Sequence, residues 1–159
     1  MFRILFVCAG NICRSPTAEG IMRRLIREQG LETEIAVDSA GTSSWHSGDA
    51  PDPRSAACAK EHGINLCDLR SRPVCAEDFA EFDLILAMDK HNLADLEYRR
   101  PREDEHYQKA KLGLILDYAP EYGREVPDPY YLNGFDRVFE MLAAACENLL
   151  SRYKSGKLS

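Results

Sequence analysis

Cys8 and Arg14 stand at the two ends of the run Cys8-Ala9-Gly10-Asn11-Ile12-Cys13-Arg14-Ser15, separated by five residues and followed by a helix-forming stretch. If such a loop curls around a tetrahedral anion, its backbone N–H groups point inward, and Gly10 and Asn11 are expected to supply the unusual dihedrals that this requires. A helix beginning near Pro16 adds its positive end, so the same groups that bind a phosphate dianion also favour the Cys8 thiolate over the thiol. Arg14 offers a planar fork that grips two phosphoryl oxygens, which a point-charge lysine could not match. Ser15 can donate its hydroxyl hydrogen to the Cys8 sulfur and make it a better leaving group. The ordinary fate of a free cysteine at a strand end is burial as a small apolar residue. An arginine deep in a strand-to-helix loop, however, is costly without an anion to pair with. Two other glycine loops are excluded, because neither Gly-x-Gly-x-x-Gly nor Gly-Lys-Ser/Thr is present.

A thiolate that attacks phosphorus needs a proton donor for the departing oxygen, and one Asp or Glu usually supplies it. Asp128 is the candidate. It lies in Val126-Pro127-Asp128-Pro129-Tyr130-Tyr131, a proline-stiffened segment in which two aromatics could flank a phenyl ring. Taken alone, Asp-Pro is also a common turn signal.

The surrounding pattern must position these groups. Phe2 to Val7 is a short apolar run expected to be a buried strand. From Pro16 to Gly30, Ile21, Met22, Leu25 and Ile26 recur at helical spacing, with Glu19 placed to favour the positive helix end. Further strands are expected at Ile35–Ser39, Phe82–Ala87 and Ala110–Leu116. Helices are expected at Pro53–His62, from about Asp89, and at Phe135 to about Tyr153, with Arg99–His106 as a solvated loop. Alternation of strand and helix favours a parallel sheet covered on both faces, with ligands beyond the carboxyl ends of the strands, where Cys8 falls.

Composition sets the frame. A chain of 159 residues with 45% hydrophobic content supports one domain, expected over residues 1–155. No early apolar run is long enough for an export signal or membrane insertion, so a cytoplasmic location is expected, with all six cysteines reduced. The net charge of −6 argues against a nucleic-acid partner. His46, His62, His91 and His106 are scattered singly, and no Cys/His spacing matches a zinc site, so neither a metal nor another cofactor is expected.

Over nearly its whole length the sequence resembles the low-molecular-weight protein tyrosine phosphatases. Val7-Cys8-Ala9-Gly10-Asn11-Ile12-Cys13-Arg14-Ser15-Pro16 is similar to the family's signature loop, Val37-Asp38-Ser39-Ala40-Gly41-Thr42 to its second-strand motif, and Asp128-Pro129-Tyr130-Tyr131 to its acid loop. The resemblance implies a single α/β domain with a four-stranded parallel sheet and helices on both faces, of flavodoxin-like topology. It implies hydrolysis of phosphotyrosine in protein substrates through a phosphocysteine intermediate, by a monomer or weak dimer. Cys8 would be the nucleophile, Arg14 the phosphate clamp and Asp128 the acid and then the base. Asn11, Ser15 and Ser39 would form the hydrogen-bond network that shapes the loop. Trp45, set in a polar segment with His46, Ser47 and Gly48, would line the substrate crevice opposite Tyr130 and Tyr131. Cys13 resembles a neighbouring cysteine that forms a reversible disulfide with the nucleophile under oxidation, although simple packing is an alternative role. Asp68 departs from the pattern, since many members carry there a histidine that supports the network. Either Asp68 replaces that hydrogen bond or the network is arranged differently. A thiol-dependent arsenate reductase, using Cys67 and Cys75 as relays, and a phosphotyrosine-binding module are the rival readings. The acid segment and Trp45 suit a phenyl phosphate better than arsenate, and binding alone would need neither Cys8 nor Asp128.

Overall fold

Strand β1 (Phe2–Cys8) sends Ile4, Phe6 and Cys8 into one apolar cluster and Leu5 and Val7 into another, the period-two alternation of a strand buried on both faces. The computed structural model describes residues 1–158. β2 (Ile35–Gly41), β3 (Leu84–Ala87) and β4 (Lys111–Leu114) complete a four-stranded sheet in the order β2-β1-β3-β4, with every pairing parallel. Helices α1 (Arg14–Glu28) and α6 (Phe135–Lys154) cover one face, with α2 (Pro53–Glu61) packed against both. The other face is covered by α4 (Lys90–Arg99) and the single turn α3 (Asp78–Glu81), which bring Leu96 and Phe79 into the second cluster. Another single turn, α5 (Pro129–Leu132), precedes α6. The expected fold class is therefore the observed one. Among the described residues no helix is long and apolar enough to cross a membrane.

Several boundaries differ from expectation for local reasons. α1 starts at Arg14, which puts Pro16 third in the helix, where its missing N–H is one of those with no intrahelical acceptor. Its end is closed by Gly30 at φ 67°. β3 starts at Leu84 because Asp83 caps the neighbouring strand instead, its carboxylate accepting the Arg3 N–H at 2.8 Å. β4 stops at Leu114, and Ile115–Tyr118 turn into a 3-10 helix whose Asp117 side chain accepts the Leu114 N–H.

The strand order places the site. From β1 the chain leaves toward β2, whereas from β3 it leaves toward β4, so a crevice opens between the loops that follow β1 and β3. Cys8 ends β1 in this crevice, and Asp89, which caps α4 by accepting the Asn92 N–H, follows β3.

The last residue of β2 meets the loop directly. A Cβ on Gly41 would stand 2.6 Å from the Ala9 carbonyl oxygen and 3.2 Å from the Asn11 backbone nitrogen, so backbone would have to move to admit it. Gly41→Ala is expected to cost about 1–3 kcal/mol, read as a lower urea midpoint at unchanged slope. An unchanged midpoint would show that the contact between β2 and the loop has slack.

Candidate active site

Every loop carbonyl from Cys8 to Cys13 with a described partner finds it outside the loop. The Cys8 oxygen accepts from Thr42 N at 2.9 Å, Ala9 from Ser43 N at 3.0 Å, and Ile12 from Asp52 N at 2.8 Å. The Gly10 oxygen accepts from the Ser71 hydroxyl at 2.9 Å and the Cys13 oxygen from the Thr17 hydroxyl at 2.6 Å. With the carbonyls turned outward, the N–H groups turn inward. Among the described residues only Asn11 of Gly10–Cys13 donates its N–H to a protein acceptor, and that acceptor is Cys8 Sγ at 3.3 Å. The free N–H groups of the first turn of α1 extend the same ring of donors.

Asn11 makes the turn at φ 56°. Gly10, expected to share that role, does not have a positive φ. Its lack of a side chain matters because a Cβ there would come within 3.0 Å of the His46 ring. The Asn11 amide is buried and donates to Ser15 Oγ at 2.7 Å and to Ser39 Oγ at 3.0 Å, while its oxygen accepts the Arg72 N–H at 3.0 Å. Ser15 Oγ already accepts from Asn11 and lies 3.0 Å from Cys8 Sγ and 3.4 Å from the Ala40 carbonyl, so its hydrogen has two acceptors in reach, of which the sulfur is the nearer. Ser39 in turn donates to Glu19 Oε1 at 2.6 Å.

Glu19 is thus a buried end of this network rather than a solvated partner of the helix terminus. Burial raises its pKa above the usual carboxylate value, only partly opposed by Ser39 and by the ion pair with Arg23. Asp68 is exposed and, among the described residues, pairs only with Arg23, at 3.8 Å. Of the two arrangements open from the sequence, the second holds: the backbone of Arg72 and the side chain of Ser71 support the loop, and Asp68 does not.

Arg14 is buried at the floor of the crevice. Its Nη1 donates to Asp89 Oδ2 at 2.7 Å and to the Val126 carbonyl at 3.0 Å, and its Nη2 is 3.5 Å from Asp128 Oδ2. Desolvation is the largest influence on its charge and opposes it, yet Cys8, Asp89 and Asp128 together hold its pKa above the ordinary arginine value. Asp128 does two things at once. Its Oδ1 caps α5 by accepting the Tyr130 N–H at 3.1 Å, and its Oδ2 faces Arg14. The turn reading of Asp-Pro is realised, and the same side chain also stands against the Arg14 guanidinium.

A single cleft opens onto Cys8, Ala9, Gly10, Ile12, Cys13, Arg14 and Asp128, and its walls are Trp45, His46, Tyr130 and Tyr131. Trp45 is 89% exposed, as its polar neighbours imply, and the Tyr130 and Tyr131 rings meet edge-on at 4.9 Å. Arg54 braces this wall from α2, donating to the Tyr130 carbonyl and lying over the Tyr130 ring at 5.5 Å while pairing with Asp52. All six cysteines are free, and Cys67 and Cys75 are exposed but do not line the cleft. Sequence reasoning missed Asp89, Ser71, Arg72 and Arg54. Only Asp89 carried a local signal, as an acid just after a strand and at the head of a helix.

A family model described as low molecular weight phosphotyrosine protein phosphatase matches residues 3–157. The chain is 49% identical over 152 residues to a putative low molecular weight protein-tyrosine-phosphatase of Synechocystis, with 94% of each chain covered. Among solved structures it is similar to a protein tyrosine phosphatase from Entamoeba histolytica, with a TM-score of 0.89 and 42% identity over 99% of this chain and 100% of that one. It is also similar to a Drosophila arginine phosphatase, with a TM-score of 0.88 and 35% identity over 95% and 97% of the two chains.

The thiols differ in accessible chemistry. Burial, reinforced by Asp52 and only partly offset by Ser55, pushes Cys13 up to about 12, and burial pushes Cys58 up to about 12 and Cys146 higher still. A raised thiol pKa leaves the unreactive form in place until the pH approaches that value. Iodoacetamide labelling mapped by peptide mass spectrometry is therefore expected to leave Cys13, Cys58 and Cys146 unmodified and flat from about pH 6 to pH 9, and to modify them in urea. Cys8 labelling is expected to be slowed by inorganic phosphate. Labelling of folded Cys13 that rises across this range would contradict the assignment.

Proposed function

Because the chain belongs to the low molecular weight phosphotyrosine protein phosphatase family, we propose that it hydrolyses phosphotyrosine in proteins, and small aryl phosphates, through a phosphocysteine formed on Cys8. One observation carries the reading: Cys8, Arg14 and Asp128 share a cleft whose mouth is walled by Trp45, Tyr130 and Tyr131.

The inward N–H groups of the loop and the Arg14 fork hold the nonbridging phosphoryl oxygens, on which charge sits through a loose transition state. Cys8 sulfur attacks phosphorus in line while Asp128, on the opposite side, gives its proton to the departing phenol oxygen. The bond to that oxygen breaks and a P–S bond forms. A water then takes the place of the phenol, the ionised Asp128 accepts its proton, and attack on phosphorus expels the Cys8 thiolate, which the Ser15 hydroxyl stabilises. Asp89 and the Val126 carbonyl fix the guanidinium from behind, so Arg14 enters the reaction already oriented. The protein's own donors supply the positive charge of each step.

The leaving group is set by the walls rather than by the loop, since a similar fold and scale serve the Drosophila arginine phosphatase. Aromatic walls suit a phenyl ring, and a deep phosphate site needs a spacer of that length. Tyrosine-phosphorylated proteins are the proposed partners and the reducing cytoplasm, which keeps Cys8 a thiol, the proposed compartment.

Cys8→Ser is expected to abolish turnover, and Arg14→Lys to lower it by about 10²–10³-fold. Asp128→Ala is expected to lower kcat by about 10²–10⁴-fold for phosphotyrosine but far less for esters of acidic phenols, which leave without a proton. Full activity of Cys8→Ser would remove the covalent route. Faster turnover of a phosphoarginine peptide than of its phosphotyrosine counterpart, with the same variant pattern, would overturn the leaving group and keep the mechanism.

A further inference from the structure

On the seam between α2 and α6, away from the cleft, Cys58, His62 and Asp136 bring a thiol, an imidazole and a carboxylate together. Their ligand atoms all lie within 4.8 Å of one another. Cys58 and His62 are four residues apart at the end of α2 and so share a face, while Asp136 comes from the first turn of α6. Sequence spacing alone gave no zinc pattern, because the third donor arrives from the far end of the chain.

We propose that Cys58, His62 and Asp136 form a binding site for a thiophilic divalent cation, of which Zn²⁺ is the type. One donor pair already stands at ligand spacing. Zn–S near 2.3 Å and Zn–N or Zn–O near 2.0–2.2 Å in a tetrahedron place ligand atoms roughly 3.3–3.7 Å apart. Cys58 Sγ and Asp136 Oδ1 are already 3.3 Å apart. The His62 ring is held in a fixed plane by stacking on Phe139, with centroids 3.9 Å apart and planes 10° apart, so its orientation does not have to be found on binding. Sulfur, nitrogen and oxygen donors in this combination select zinc-like ions over magnesium or calcium. With His62 and Asp136 exposed, water completes the fourth position.

The local charge points the same way. Asp136 sets a carboxylate oxygen 3.3 Å from the Cys58 sulfur. On cation binding the S–H bond breaks, the proton leaves to solvent, and a metal–sulfur bond replaces the hydrogen bond to Asp136. The site uses none of Cys8, Arg14 or Asp128, yet it joins α2 to the first turn of α6 immediately after Asn133 and Gly134, which end the acid segment with φ of 59° and 76°. Cys58 also lines a narrow space shared with Cys13 and Pro129. Occupancy therefore anchors the downstream end of the segment that carries Asp128.

The test uses Co²⁺ as a spectroscopic probe on the full chain carrying Cys8→Ser, Cys67→Ser and Cys75→Ser, which removes one of the two cleft thiols and the two exposed ones and leaves the buried Cys13, Cys58 and Cys146. One equivalent of Co²⁺ is expected to give a thiolate-to-cobalt charge-transfer band with tetrahedral visible bands, all displaced by one equivalent of Zn²⁺. Zn²⁺ at a hundredfold excess over its dissociation constant is expected to raise the thermal midpoint by roughly 5–10 °C, reversed by a chelator. Cys58→Ser and His62→Ala should abolish the charge-transfer band, and Asp136→Asn should weaken binding by at least about tenfold. His62 is exposed, so its variant tests the site even if Cys58→Ser disturbs packing; circular dichroism in chelator monitors the fold. Absence of the band in the parent chain, or its survival in Cys58→Ser or His62→Ala, would overturn the proposal and leave the Cys58–Asp136 contact as a hydrogen bond only.

Discussion

The structure depends above all on the orientation of the peptide groups between Cys8 and Cys13. An N–H can point into the ring only if the carbonyl of the same peptide points out, and each outward carbonyl must find a donor in a protein interior. The donors come from separate parts of the chain: Thr42 and Ser43 after β2, Asp52 at the head of α2, Ser71 in the following loop and Thr17 inside α1. An anion site assembled from one short loop therefore needs most of the first half of the chain to hold it open. The parallel sheet matters here because β2 alongside β1 delivers Gly41, Thr42 and Ser43 to the loop in register.

Arg14 faces the complementary problem. A buried guanidinium is costly unless its donors are used, and Asp89 and the Val126 carbonyl both accept from Nη1. These partners come from the segments after β3 and before α5, so the cation ties together the two sides of the crevice that the strand order opens. Asp128, part-exposed and 3.5 Å from Arg14 Nη2, sits at the edge of the same charge cluster. In the proposed reaction the Arg14 guanidinium is already held by Asp89 and the Val126 carbonyl before a phosphate dianion arrives, an arginine fixed in advance rather than one recruited by substrate.

Much of this was legible because the reacting groups are crowded into short runs. The Cys8–Ser15 loop, β1 and α1 are consecutive, and Asp128 is marked by its prolines and tyrosines. The central strands β1 and β3 could be placed because buried parallel strands are nearly continuous apolar runs, and α6 because its apolar face is long. The single turns α3 and α5 could not be placed, being four residues each and too short to show a helical period. The supports of the site were harder still. Ser71 and Arg72 act on the loop across sixty-one residues of sequence, Arg72 through its backbone, which no side-chain pattern records. Glu19 illustrates the opposite error: its position near a helix start suggested a dipole partner, and tertiary packing made it the buried terminus of a hydrogen-bond chain.

Asn11 shows why the loop has the residue it does. Glycine would take a positive φ at no steric cost, whereas asparagine gives up about 1 kcal/mol for it. Glycine, however, would leave Ser15 Oγ, Ser39 Oγ and the Arg72 N–H without the partner that now links them. Three side-chain hydrogen bonds, two of them buried and each contributing about 0.5–1.5 kcal/mol, offset that strain. They also occupy Ser15 Oγ as an acceptor. Its hydrogen is left for Cys8 Sγ at 3.0 Å, with the Ala40 carbonyl at 3.4 Å the more distant acceptor, and because Ser39 accepts from the same amide, its own hydrogen goes to Glu19. One side chain thus sets the backbone conformation that turns the N–H groups inward and the direction of the hydrogen bonds that reach the sulfur, and the two cannot be separated by substitution at this position.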